Sequence, residues 1–165
     1  MVLWIGRLQS WITGLRRWHR LSRRRRAKLT SDQFRDEELL YRALSIEDID
    51  SNGRYKIGAF ESADVSVNWS KFCIPEDIRF RLGGSDRDGC MAFAVSVSRY
   101  QNLALPCHDP MEDNYAHAEI RWLKEGESVE PDHGRKVSSS KTEKAKRLAW
   151  RQHVCLNSIM VLDAS

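Results

Sequence analysis

Polar and apolar residues alternate most cleanly in "ADVSVNWSKF", where Val65, Val67 and Trp69 fall on one side and Ser66, Asn68 and Ser70 on the other. A period of two is the mark of a half-buried strand. "CMAFAVSVSRY" repeats the pattern, with Met91, Phe93, Val95 and Val97 set against Ala92, Ala94, Ser96 and Ser98. "NLALPC" extends this strand or pairs with it, and "YAHAEIRWL" predicts another. "SDQFRDEELLYRAL" reads as a helix start capped by Ser31 or Asp32, with Asp36 and Glu37 in its first turn; a short strand over "LLYRAL" is the alternative. "IPEDIRFRL" predicts a short helix opened by Pro75. In "SSKTEKAKRLAWRQH", Ser140 and Glu143 have the spacing of a capping box, and Ala145, Leu148, Ala149 and Trp150 form the expected buried side. "VCLNSIMVL" is a last strand or a continuation of that helix. Strands clustered between flanking helices predict an α+β fold, a single compact domain with a mixed or mostly antiparallel sheet.

The first 28 residues have a different pattern. Trp4, Leu8, Trp11, Ile12, Leu15 and Trp18 recur at steps of three and four, a single apolar stripe on a helix. The same segment holds nine of the 27 basic residues and no acid, which leaves 18 basic against 23 acidic residues, a balance of −5, for the rest of the chain. The division is therefore a basic amphipathic arm over 1–28 and a mildly acidic domain over 29–165. Interrupted by Arg7 and Arg16, the arm's apolar run falls far short of the roughly 20 residues that span a bilayer. Residues 4–26 suit contact with a membrane surface or docking on a protein partner. A Trp- and Arg-rich leader is also what an over-long start-site assignment yields, with the protein proper beginning near Leu29. Nothing in the acidic body suggests a nucleic-acid-binding face.

Composition adds two limits. With 41% hydrophobic and 30% charged residues, the chain has the balance of a folded globular protein. Cys73, Cys90, Cys107 and Cys155 are widely spaced without a CxxC pair, which argues against a zinc ribbon or a disulfide framework and for reduced thiols in a cytoplasmic protein.

The densest chemistry lies in "CHDPMEDNYAHAEI". On an extended segment His117 and Glu119 share a face, where a carboxylate can orient an imidazole or poise it for acid–base work near neutral pH. His108, Asn114 and Tyr115 lie close by on a loop fixed by Pro106 and Pro110. His117, Glu119 and His108 are the candidate catalytic groups, around a small polar substrate. A metal held by His108, His117 and Glu119 has no supporting ligand spacing, and no motif indicates a cofactor. A Cys107–His117 nucleophilic pair needs a proximity that sequence does not display.

"DEELLYRAL", "GRYKIGAFESADVSVNWSKF" and "HDPMEDNYAHAEI", in that order, resemble a group of small uncharacterised bacterial proteins with a leucine-tyrosine-arginine motif, a serine-bearing segment and an alanine-histidine-alanine motif, over roughly residues 36–150. More loosely, "LLYRAL", "ADVSVNW" and "HAEI" are similar in order to ADP-ribosyltransferase-like folds. That resemblance implies that Arg42 holds phosphate, Ser66 helps position a ribose and Glu119 stabilises developing charge. Asn68, Asn114 and Tyr115 are further substrate-binding candidates from the residues themselves. The expected function is binding or processing of a nucleotide or another phosphate-bearing substrate, in a toxin or defence module. A non-catalytic interaction module, whose arm docks a partner or a membrane, is the alternative.

Overall fold

The computed structural model describes residues 27–52, 54–62, 64–80, 84–85 and 87–164. The amphipathic stripe expected over residues 4–18 lies outside them. Six strands form one antiparallel sheet: β1 (Leu39–Leu44), β2 (Asp64–Trp69), β3 (Gly89–Ala94), β4 (Ala104–His108), β5 (His117–Trp122) and β6 (Ile159–Leu162). Their spatial order is β4-β5-β2-β1-β3-β6, and every pairing is antiparallel. Among the described residues two α-helical segments accompany the sheet, the single turn α1 (Val95–Ser98) and the long α2 (Lys141–Leu156). The fold is thus α+β. Among the described residues no helix is long and apolar enough to cross a membrane.

Directly opposed residues of an antiparallel pair share a face, so the register divides the sheet into two sides. Leu40, Val65, Val67, Trp69, Phe93 and Ile120 line one of them and make the main core with Phe34, Phe60, Trp150 and Val154. The other side is itself divided. Over β1 and β3 the 3-10 segment Pro75–Phe80 covers Tyr41, Cys90 and Ala92 with Ile78. Over β2 and β5 the same side is polar: Asp64, Ser66 and Asn68 face Arg121, Glu119 and His117 across the ladder.

Three local expectations are corrected. "SDQFRDEELL" makes only a 3-10 turn at Ser31–Gln33, and the segment enters the sheet as β1, the strand alternative. Its acidic residues serve tertiary partners instead of a helix start: Arg99 Nη1 donates to Asp36 Oδ1 at 2.5 Å, and Trp69 Nε1 donates to Glu38 Oε2 at 2.8 Å. The strand at "CMAFAVSVSRY" stops at Ala94, because Val95 N–H and Ser96 N–H donate to the carbonyls of Glu38 and Asp36 and the Ser98 hydroxyl donates back to Val95 O at 2.7 Å, closing a helical turn. "NLALPC" pairs with β5, not with β3.

Helix α2 starts as the capping residues indicate, with Glu143 N–H donating to Ser140 Oγ at 3.2 Å. The Glu143 carboxylate pairs with Lys146 at 3.3 Å. Of the expected buried side Trp150 is fully buried and Ala149 partly so, whereas Ala145 and Leu148, the latter 45% exposed, face solvent and Val154 completes the docked side. "VCLNSIMVL" is both things in turn: the helix runs to Leu156 and β6 follows.

Gly89 marks the tightest backbone approach. A Cβ there would lie 2.7 Å from Ala164 N and 2.9 Å from Leu162 O, both main-chain atoms beside the last strand. Neither can swing aside as a side chain could. Gly89→Ala is expected to cost about 1–3 kcal/mol through overpacking, seen as a lower urea midpoint. An unchanged midpoint would mean that the chain after β6 is loosely held.

Candidate functional site

The polar half of the second face carries a serine–histidine pair. His117, buried on β5, places Nε2 3.0 Å from Ser66 Oγ and Nδ1 2.7 Å from the carbonyl of Asp109. A carbonyl can only accept, so the proton sits on Nδ1, and Nε2 presents its lone pair to the serine hydroxyl. Ser66 is exposed, and its hydroxyl donates inward to the buried ring. A main-chain carbonyl here does the orienting that sequence reasoning gave to Glu119. The loop above is tied down by Asn114 Nδ2, which donates to Asn68 Oδ1 at 2.6 Å, and by the His117 N–H donating to Asn114 O at 3.2 Å.

Glu119 belongs to a neighbouring cluster of charges. Arg121, 3% exposed, donates to Glu119 Oε2 from Nε at 3.0 Å and Nη2 at 2.8 Å, and from Nη1 to Pro131 O at 2.9 Å. His133 Nδ1 donates to the same carboxylate oxygen at 2.8 Å and lies 3.8 Å from Asp64 Oδ2 and 3.9 Å from Asp109 Oδ2. Burial pushes the Glu119 carboxyl up, but the hydrogen bonds from His133 and Arg121 outweigh it and hold it below the usual carboxylate range. The bond to Glu119 is the main reason that the His133 pKa is raised. Gly134 N–H donates to Asp64 Oδ2 at 2.6 Å and fixes the turn that presents His133. The donor atoms of Asp64, Glu119 and His133 lie within 4.8 Å of one another.

Ser66, Asn68, Asn114, His117 and Glu119 are brought together as expected. His108, Tyr115 and Arg42 are placed elsewhere. His108 shares a face with Ala118, across the sheet from His117. Leu29 N–H donates to its Nδ1 at 3.0 Å, so Nε2 carries the proton and donates to Tyr115 O at 2.7 Å. This ring clips the start of the domain to the sheet, packed against Trp69, Phe72 and Tyr115. The Tyr115 hydroxyl donates to Ala27 O at 3.1 Å in the same clip. Arg42 Nη1 and Nη2 donate to the carbonyls of Ser66, at 2.7 Å, and Ala59, at 2.9 Å, where the β1–β2 ladder has ended. As placed, Arg42 holds the Ser66 backbone. Cys107 is buried, its thiol donating to Leu105 O, and burial pushes its pKa up to about 12, which removes thiolate chemistry at neutral pH.

Burial also depresses the His108 pKa. The unfolded chain then binds the extra proton more readily, so the stability this ring contributes is full above its ordinary value of about 6.5 and is lost as pH falls through the lower folded value. Thermal midpoints measured from pH 7 to pH 5 are expected to fall more for the wild type than for His108→Gln. Equal slopes would contradict the clip.

Sequence reasoning missed His133, Arg121, Asp64 and the Asp109 carbonyl. His133 sits in "EGESVEPDHGRKVSSS", a polar stretch without periodicity, and its only signal is a turn-forming Pro131 and Gly134 on either side. Two clefts open between the 123–128 turn and the first half of α2, lined in part by Leu103, Lys124 and Lys146, and neither contains Ser66, His117 or Glu119. The serine–histidine pair lies outside both clefts, on the β2–β5 face. Comparison of the chain with protein-family models, with curated proteins and with solved structures finds no match.

Proposed function

We propose that the protein processes a small polar, phosphate-bearing substrate of the nucleotide class by nucleophilic transfer at the β2–β5 face. Ser66 Oγ attacks phosphorus while its proton passes to His117 Nε2. The bond to the leaving oxygen breaks, that oxygen keeps the electron pair, and His117 returns the proton to it. Water then attacks the phosphoserine with His117 again taking the proton, and Ser66 is restored. Asn68 and Asn114 keep the 109–116 loop, and with it the Asp109 carbonyl, in place against Nδ1. Arg42 acts as a positioning residue through the Ser66 carbonyl. A cytoplasmic toxin or defence setting is part of the same proposal.

The observation that carries this reading is the tautomer of His117. The ring is buried and directed by a main-chain acceptor, so its free lone pair points at an exposed hydroxyl. The test is turnover of a panel of phosphomonoesters, phosphodiesters and nucleotides by the full chain, followed as phosphate or nucleoside release. A substrate of this class is expected to lose at least about a thousandfold in rate with Ser66→Ala and with His117→Ala, in variants whose urea midpoints show them folded under the assay conditions. Turnover that survives Ser66→Ala would end the nucleophile assignment.

A further inference from the structure

We propose that Asp64 Oδ2, Glu119 Oε2 and His133 Nδ1 form a binding site for one divalent first-row metal ion, beside Ser66 on the same face. The donors come from three parts of the fold: β2, β5 and the turn at Pro131–Gly134. One imidazole with two carboxylates is a mixed nitrogen and oxygen set that suits manganese, iron or zinc and does not suit magnesium or calcium as well.

Distance and support both fit. Ligand atoms at right angles on an ion with bonds of about 2.1 Å stand about 3 Å apart, and His133 Nδ1 is 2.8 Å from Glu119 Oε2. Asp64 Oδ2 lies 3.8 Å from the same nitrogen, within the span of ligands on one ion. The ligand oxygens are already oriented by the fold, and the ion would take the place of the His133 Nδ1 proton, released to solvent, as the third group on Glu119 Oε2. Arg121 grips the Glu119 carboxylate, Gly134 N–H grips Asp64, and Arg121 Nη1 fixes the turn through Pro131 O.

Charge supplies an argument independent of the distances. Among the described residues, Asp64, Asp109 and Glu119 surround the His133 nitrogen, with Arg121 beside them and Arg135 acting on Asp64. Carboxylates outnumber these permanent cations, and a divalent ion would offset the excess. The His133 side chain is 67% exposed, so the outer positions on the ion open to solvent, as they do in catalytic and not in structural sites. Glu119 is the cross-strand partner of Ser66, which puts the ion next to the serine oxygen. There it would hold the phosphate oxygens of a substrate that this acidic face would otherwise repel; this last role, and only this, rests on the transfer reading above.

The experiment is titration of the EDTA-treated full chain with Mn2+, read by the loss of the free-ion electron paramagnetic resonance signal. Mn2+ is chosen because it avoids thiols. One saturable site is expected in the wild type, weakened at least tenfold in His133→Ala and in Asp64→Asn, and unchanged in Ser66→Ala. His133→Ala is decisive, since so exposed a side chain can be removed without disturbing the core. No saturable binding in the wild type, or wild-type affinity in His133→Ala, overturns the site. Binding that follows the expected pattern while Ser66 proves chemically inert leaves the metal site standing and removes the transfer reading alone.

Discussion

Arg121→Ala is expected to lower the stability of the protein by about 3–5 kcal/mol, the scale for breaking a buried ion pair by removal of one partner. The side chain is 3% exposed and makes three hydrogen bonds, two to Glu119 and one to Pro131 O. Without it Glu119, 6% exposed, keeps a buried charge with His133 as its remaining donor among the described residues, and the 128–135 loop loses one of its ties to β5. The loss should come mainly from the stranded carboxylate and not from the absent contact. Adding Glu119→Gln to Arg121→Ala is therefore expected to recover part of the stability, although each change alone is destabilising. Urea unfolding of the two single variants and the double variant reads this directly, and strictly additive losses would show that the two side chains act independently.

Trp150→Ala is expected to cost a similar amount, about 3–5 kcal/mol, for a different reason. Trp150 is fully buried where α2 meets the sheet, with its ring 4.9 Å from that of Trp122 and 5.9 Å from that of Phe60, both edge-on. Its Nε1 donates to Ser98 O at 2.7 Å, so a single side chain joins the long helix to the end of α1. Trp150→Phe keeps most of the aromatic volume and loses the hydrogen bond, leaving the Ser98 carbonyl unsatisfied, and should cost about 1–3 kcal/mol. Thermal and urea unfolding of both variants would separate the cavity from the bond. A Phe variant as unstable as the Ala variant would mean that the carbonyl, not the packing, is what matters.

What could be read from the sequence was set by how local each signal is. The alternation at Val65–Trp69 needs no partner to be seen, because the two faces of β2 differ in chemistry, and β2 formed where expected. The Ser140–Glu143 spacing likewise works within one turn and located the start of α2. Asp36 and Glu37 look like helix-start residues in isolation, but β1 lies between β2 and β3, and its pairing outweighs the local preference. Val95 and Val97 continue the alternation of β3, yet Asp36 and Glu38, some sixty residues earlier, offer the carbonyls that turn the chain. In the candidate site, His117 and Glu119 were visible because they lie two apart on a strand. His133 was not visible, because it reaches them from a loop, through contacts that no spacing encodes. Arg42 and His108 illustrate the converse, side chains whose placement the sequence does not show. Both have functional side chains, and both are engaged with main-chain atoms.

The most direct measurement is covalent labelling of Ser66. The full chain is treated with an activated fluorophosphonate, and the modified residue is located by peptide mass spectrometry. The pairing of a buried, directed imidazole with an exposed hydroxyl requires stoichiometric modification at Ser66 that disappears in His117→Ala. Unmodified Ser66, or labelling that proceeds equally without His117, would contradict it.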